Sequence, residues 1–404
     1  MNEVGVAVLG YGTVGSGVVE VIEKNNDVVG ARAGKKLYVK HILDLREFPG
    51  DPYENKVVHD FNIILEDEDV QIICETMGGV KPAYDFTKSA LLKGKSVCTS
   101  NKELVANHGP ELLAIAKENN CNYMFEASVG GGIPIIRTIN NALTAEKIES
   151  ITGILNGTTN YILTKMDKEG ADFAEVLAKA QELGYAERNP EADVEGYDAC
   201  RKIAILSSLM TGKNVKYENI YTEGITKITA DDFVYAKAAG MAVKIFGMSK
   251  NTENGTLAMV APFMISADYP LYMVNDVFNG VFVRSNMLGD SMYYGRGAGK
   301  LPTASAVVGD VVECARNLGN NVPVFWDAEE AKLADISEVS RSFFVRAKAS
   351  AKDEVLAAFP GGEEVVIEGR DDFGYFTLEM KEKDFAEKYA ALGDKVYMRI
   401  RVEK

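Results

Sequence analysis

Residues 4–9, VGVAVL, form a near-continuous apolar run, the pattern of a strand buried on both faces. A helical spacing of apolar positions follows over 14–24. A polar, glycine-bearing stretch at 25–36 reads as a loop, and 37–44 as a second strand. Further runs predict strands at 70–75, 96–99 and 122–125, separated by helical stretches such as 82–93 and 109–119. Strands alternating with helices predict a parallel, doubly wound α/β sheet.

From about Ile133 the texture changes. One longer strand is predicted at 147–155, helices at 158–168, 173–183 and 197–211, and strands around 257–265 and 277–283. This is the pattern of an α+β region. The helical stretch 303–317 follows the glycine-rich run GRGAGK and is expected to return to the first domain, making that domain discontinuous. The last block reads as strand 342–349, helix 352–359, strands 363–368 and 375–380, helix 383–392 and strand 395–402. That order is βαββαβ, a ferredoxin-like arrangement. The expected division is therefore 1–132 (completed by about 300–322), 133–299 and 327–404.

Composition narrows the class. A chain of 404 residues is too long for one hydrophobic core. With 44 basic and 59 acidic side chains the net charge is −15, which argues against nucleic acid or an anionic membrane as main partner. Five dispersed cysteines without C-x-x-C spacing suit a reducing compartment. Three histidines and no H-E-x-x-H argue against a zinc site. The opening MNEVGVAVLG lacks the features of a signal peptide, and no apolar run reaches membrane-spanning length. The expectation is a cytoplasmic multidomain enzyme.

Candidate chemistry begins at Gly10-Tyr11-Gly12-Thr13-Val14-Gly15, a G-x-G-x-x-G between the first strand and the first helix. Gly10, Gly12 and Gly15 there permit a tight turn, close backbone approach to a pyrophosphate and close helix–strand packing. The helix N-terminus, opening at Thr13 and Val14, offers N–H groups to the phosphates. Asp44, at the end of the second strand, is the acidic residue expected to bind a ribose hydroxyl and points to NAD. Arg46, two residues on, suits a 2′-phosphate and points to NADP.

Three further segments carry candidates. Thr99, Ser100 and Lys102 lie at the carboxyl end of a predicted strand, where open α/β sheets bind ligands. Glu126 to Pro134 contains three consecutive glycines; such a curl either turns carbonyl oxygens toward a monovalent cation or connects two domains. The stretch GYAERNPEADVEGYDACRK gathers Glu187, Asp193, Glu195, Asp198, Arg201 and Lys202, with Asp198 and Lys202 four apart on one helix face. Apolar residues after Lys202 suggest a partly buried helix, where a lysine beside carboxylates can exchange a proton. The pairs Tyr84/Lys88 and Tyr161/Lys165 match Y-x-x-x-K at chance frequency among 18 tyrosines. A histidine-based mechanism finds no support, since His41 and His59 fall in or near the cofactor half and His108 has no evident partner.

Taken together, these residues resemble homoserine dehydrogenase over roughly 1–320. The stretch from Ala186 to Lys202 is the most specific, and Ile154 to Tyr161 and Gly297 to Thr303 also resemble family segments. The resemblance implies NAD(P)-dependent interconversion of L-aspartate 4-semialdehyde and L-homoserine, toward threonine and methionine. It implies Lys202 as proton donor and acceptor, with Lys102 near the reacting oxygen and Asp198 in the same polar cluster. Glu187 resembles the residue that grips the substrate amino group, with Gly157, Thr158, Tyr185 and Asp193 shaping that pocket. Gly10, Thr13, Val14, Thr99 or Ser100, and Gly297 match cofactor positions, and Glu126, Val129, Gly131 and Ile133 match a sodium site. A homodimer or homotetramer is expected.

Many relatives carry at 327–404 an ACT domain, a unit that senses an end-product amino acid. Here its D-x-P-G-V-L opening is replaced by Ala349 to Leu356, so an ACT-like fold with an amino-acid effector is an open expectation. Two other readings stand beside the enzyme: a catalytically silent NAD(P)-binding sensor of an amino acid, and another NAD(P)-dependent semialdehyde reductase.

Overall fold

The computed structural model describes residues 3–403. It divides into two compact units, one of residues up to Glu146 with Ala204–Lys216 and Gly295–Ala331, the other of Lys147–Ile203, Tyr217–Tyr294 and residues from Lys332 on.

The first unit is built on six strands: β1 (Glu3–Leu9), β2 (Lys36–Leu43), β3 (Val57–Val58), β4 (Val70–Glu75), β5 (Ser96–Thr99) and β6 (Tyr123–Met124). They form a parallel sheet in the order β3-β2-β1-β4-β5-β6. This is the doubly wound Rossmann order, with its switch point between β1 and β4. Every residue of β1 after Glu3 is buried, as its unbroken apolar run requires. The helix Thr13–Lys24 packs beside the helix Lys300–Arg316, which brings Val307, Val311 and Cys314 into one core with Val6, Val18 and Ile22. At Gly17 the two helices touch: a Cβ there would lie 2.9 Å from Ala304 Cβ.

Two readings in this unit need correction. Part of the stretch read as a loop at 25–36 is a helix, Asn26–Ala33, closed by Gly34 in the left-handed region. Its apolar positions are too few to mark one face, for Val29 is buried and Val28 exposed. The helix read at 109–119 begins at Lys102 and contains Pro110. Asn101 caps it, accepting the Leu104 N–H at 3.0 Å, so the chain was already helical when it reached the proline.

The second unit carries a mixed sheet of eleven strands. Its strands are β7 (Ile148–Ile154), β8 (Tyr221–Thr222), β9 (Met241–Thr252), β10 (Gly255–Ser266), β11 (Phe278–Ser285), β12 (Gly289–Arg296), β13 (Ser340–Lys348), β14 (Glu363–Val365), β15 (Asp372–Phe376), β16 (Met380–Lys381) and β17 (Val396–Glu403). The main path runs β12-β11-β7-β9-β10-β17-β13-β15-β14. β9 and β12 escaped the sequence reading, as did the helix Ala230–Ala238. Signals for two of them were present. Asn254-Gly255 is a hairpin turn signal between β9 and β10, and Thr229 with Asp232 forms the capping box that opens the helix.

The final block folds as βαββαβ in the order β17-β13-β15-β14, all neighbours antiparallel. That is the ferredoxin-like topology. β17 also pairs in parallel with β10, Phe263 opposite Arg401, so one sheet continues from the middle of the chain into its end. Buried ion pairs reinforce the join. Arg401 contacts Glu382 and Glu223 at 2.7 Å each, and Arg346 reaches Asp232 at 2.8 Å and Asp372 at 3.1 Å.

Candidate active site

The first unit gathers the cofactor candidates at its switch point. Gly10 is left-handed, with φ 87°, and a Cβ on Gly15 would fall 1.9 Å from the Gly10 carbonyl oxygen. The turn is thus closed to any side chain at Gly15. A Cβ on Gly12, by contrast, would meet no atom within 4 Å. The helix beginning at Thr13 has no side-chain cap, so its first N–H groups are left to a ligand. A tight turn, an open cradle at Gly12 and uncapped donors fit a dinucleotide pyrophosphate.

Asp44 lies beside this turn and accepts the Tyr11 N–H at 2.8 Å. It also receives Arg46 Nε and Nη2, both at 2.9 Å. The hydrogen bonds from Arg46 hold the Asp44 carboxyl well below the usual carboxylate range. The guanidinium remains exposed and sits 5.1 Å from the Phe48 ring centroid.

Glu75, at the end of β4, was not foreseen. It is wholly buried, accepts Thr99 Oγ1 at 2.6 Å and the Met77 N–H at 2.8 Å, and has its pKa raised by burial. Thr99 in turn accepts the Asn101 N–H at 2.9 Å. Asn101 reaches the Gly79 carbonyl at 2.6 Å and caps the helix that opens with Lys102. A buried carboxylate thereby ties the end of β4 to the Thr99–Lys102 turn; an acidic residue ending an apolar strand is the only sign of it in the sequence.

The glycine-rich segment also belongs to the first unit. Gly130 and Gly131 are left-handed, φ 72° and 55°. A Cβ on Gly131 would fall 2.5 Å from the Gly297 backbone, so the curl and the Gly297 candidate lie against each other. The Glu126 side chain accepts the N–H groups of Ile136 and Arg137 at 2.9 and 2.7 Å. Burial raises its pKa and that of Asp310, whose Oδ2 accepts the Glu126 N–H at 2.9 Å. No cluster of His, Cys, Asp and Glu suited to a metal occurs among the described residues.

The second unit assembles the proton-transfer candidates around Lys202, on the helix Tyr197–Thr211. Lys202 is 9% exposed, and its Nζ donates to Asp198 Oδ2 at 2.7 Å and to the Leu155 carbonyl at 2.8 Å. Asn156, which the sequence reading did not single out, is the pivot. Its Nδ2 donates to Asp193 Oδ1 at 2.7 Å and Asp198 Oδ2 at 2.8 Å, while its Oδ1 caps the helix Gly157–Glu169 through the Thr159 N–H. Thr158 Oγ1 donates to the Tyr185 carbonyl at 2.7 Å, and the Tyr185 ring meets Tyr161 edge-on at 5.1 Å. Glu187, two residues on, is exposed. Lys202, Asp198 and Asp193 are thus linked through Asn156, and Thr158 to Tyr185 by its own hydrogen bond, whereas Lys102 belongs to the first unit with Thr99 and Ser100.

Comparison with known proteins agrees with this geometry. The family model "Homoserine dehydrogenase" matches residues 134–312, and "Homoserine dehydrogenase, NAD binding domain" matches residues 10–126. The homoserine dehydrogenase of Bacillus subtilis is 42% identical over 323 residues, 79% of this chain and 74% of its own. A crystal structure of a homoserine dehydrogenase from Thiobacillus denitrificans superposes with a TM-score of 0.91 at 33% identity, covering 100% of this chain and 99% of that one. A hyperthermophilic archaeal homoserine dehydrogenase in complex with NADPH matches with a TM-score of 0.65 at 28% identity, over 77% of this chain and 97% of its own.

Proposed function

The chain belongs to the homoserine dehydrogenase family, and on that premise we propose the roles its residues play. It is an NAD(P)-dependent oxidoreductase acting on a CH–OH donor, and it interconverts L-aspartate 4-semialdehyde and L-homoserine in amino-acid biosynthesis. Neither a silent sensor nor a different semialdehyde reductase finds support in the relatives.

Lys202 is the proton carrier. The observation behind this is its buried ammonium, fixed by the Leu155 carbonyl and Asp198 at 2.8 and 2.7 Å. An ammonium has three hydrogens; two are used there, and the third serves the substrate oxygen. In the reducing direction the ammonium stabilises negative charge on that oxygen and gives it a proton. In the oxidising direction the neutral amine takes the hydroxyl proton. Asp198 aligns the amine, and Asn156 aligns Asp198 together with Asp193. Glu187 binds the substrate ammonium, with Gly157, Thr158 and Tyr185 shaping its surroundings.

When bound, a dinucleotide would supply or accept the hydride. Gly10, Gly12, Gly15 and the N–H groups from Thr13 and Val14 would hold its pyrophosphate, and Thr99, Ser100, Lys102 and Gly297 would line the nicotinamide side. Asp44 is already neutralised by Arg46, whose exposed guanidinium suits a 2′-phosphate, so the reading favours NADP. Carbonyl oxygens of Glu126, Val129, Gly131 and Ile133 are assigned to sodium, a hard cation suited to oxygen donors. Homoserine-dependent reduction of NAD⁺ and NADP⁺, assayed in parallel in sodium and in potassium buffers, tests the three assignments together: turnover of homoserine, a higher kcat/KM with NADP⁺, and activation by sodium.

An amino-acid effector is assigned to the C-terminal βαββαβ block, and titration with threonine tests it. A homodimer or homotetramer is expected by light scattering. Five buried free thiols suit a cytoplasmic setting.

A further inference from the structure

Asn279, on β11, is wholly buried, and neither its amide nitrogen nor its amide oxygen has a hydrogen-bond partner among the described residues. An unpaired buried amide is costly, so its place in the fold is informative. Val281, two residues on and therefore on the same face of the sheet, pairs with Gly153 of β7, and Gly153 pairs with Gly247 of β9. A Cβ on Gly247 would touch Leu155 Cδ1 at 2.9 Å and Ile203 Cβ at 3.1 Å. Asn279 thus projects from the face on which Leu155 lies and against which the Lys202 helix packs.

The chain segment around it confirms the address. A Cβ on Gly157 would meet the Val277 carbonyl oxygen at 2.9 Å. Asn160 Nδ2 donates to the Phe278 carbonyl, immediately before Asn279, at 3.0 Å. Asn160 is buried too, and its Oδ1 also has no partner among the described residues. The turn from Leu155 to Gly157 is therefore flanked by two buried amides with three unsatisfied polar atoms. That same turn carries the carbonyl that holds Lys202 and the Asn156 amide that holds Asp193 and Asp198.

We propose that Asn279 is a positioning residue for Lys202, sharing one internal water with Asn160 and so fixing the Leu155–Gly157 turn. Three polar atoms are within the two to four partners that a buried water takes. A fixed turn keeps the Leu155 carbonyl on the lysine, and with it the direction of the remaining ammonium hydrogen. The inference rests on Lys202 being the proton carrier.

The test compares Asn279→Leu, Asn279→Asp and Lys202→Ala with the wild-type enzyme in thermal melts and in pH profiles of homoserine oxidation. Removing one partner of a shared water leaves the other without it, which costs stability. Asn279→Leu is therefore expected to melt a few degrees below the wild type while kcat falls about tenfold, because a small misplacement of a catalytic group is enough for that, with KM for homoserine little altered. In Asn279→Asp the new carboxylate, on the face against which the Lys202 helix packs, favours cationic groups there, so the rising limb of homoserine oxidation is expected to move to higher pH. Wild-type kcat and pH profile in both variants would overturn the proposal, as would a change confined to KM. If Asn279→Leu does not fold, the Asn279→Asp limb decides alone, and an unmoved limb overturns it. An active Lys202→Ala would instead overturn the assignment of Lys202 itself.

Discussion

Gly12 and Gly15 show how much a single Cβ can report. At Gly15 a Cβ would fall 1.9 Å from backbone oxygen, and at Gly12 it would meet nothing within 4 Å at an ordinary φ of −83°. Gly15→Ala is expected to lower the melting temperature by several degrees, since an overpacked site costs about 1–3 kcal/mol. Gly12→Ala is expected to melt like the wild type and yet bind cofactor at least about tenfold more weakly, because the new methyl stands where the pyrophosphate approaches the backbone. Calorimetric melts with cofactor titrations check both, and a Gly12→Ala enzyme with unchanged cofactor affinity would refute the cradle. Both glycines were legible in the sequence, since the motif states a backbone requirement. Asn156 and Glu75 were not, because each acts chiefly through contacts with residues distant in the chain, and the local pattern offers at most an acid at the end of an apolar strand.

Lys244, also on the residue scale, makes the fold sensitive to pH. It is buried in β9, donates to the Val274 carbonyl at 2.6 Å and to Asn275 Oδ1 at 2.8 Å, and burial lowers its pKa from 10.5 to about 8. Between pH 8 and 10.5 the unfolded chain holds the proton that the folded one has released, so this group's contribution to stability rises with pH across that window. The melting temperature of the wild type, measured relative to Lys244→Met, is expected to climb from pH 8 to pH 10. A difference between the two that stays flat across the window would contradict the assignment.

Among the elements, those with a pattern of their own were readable: the apolar run of β1 and the βαββαβ order of the final block. Those without one were not. The helix Asn26–Ala33 exposes Val28 and buries Val29, leaving no consistent stripe. β9 is buried over most of its length, and its run AVKIFGMS shows no alternation because both faces are covered. β17 carries the most consequence. It pairs with β10 on one side and β13 on the other, with Arg401 buried between Glu382 and Glu223. Truncation before Ser340 would open the β10 edge, with its apolar Phe263 and Ile265, to solvent and to other chains. The shortened protein is expected to aggregate or lose all activity, in contrast to an enzyme that merely stops responding to an effector. A soluble, fully active truncation, seen by gel filtration and assay, would contradict this.

At the scale of the whole molecule, the proposed function divides the work between two units: one would hold the dinucleotide, the other would move the proton. The net charge of −15 says little about either task, since the proposed chemistry depends on one buried lysine and the carboxylates and amides around it. The direct test is homoserine-dependent NADP⁺ reduction by Lys202→Ala beside the wild type, with cofactor affinity measured on the same samples. The account predicts a fall in kcat of at least about a hundredfold, the usual contribution of a positioned proton carrier, with cofactor affinity unchanged within about twofold. Turnover near that of the wild type would contradict it.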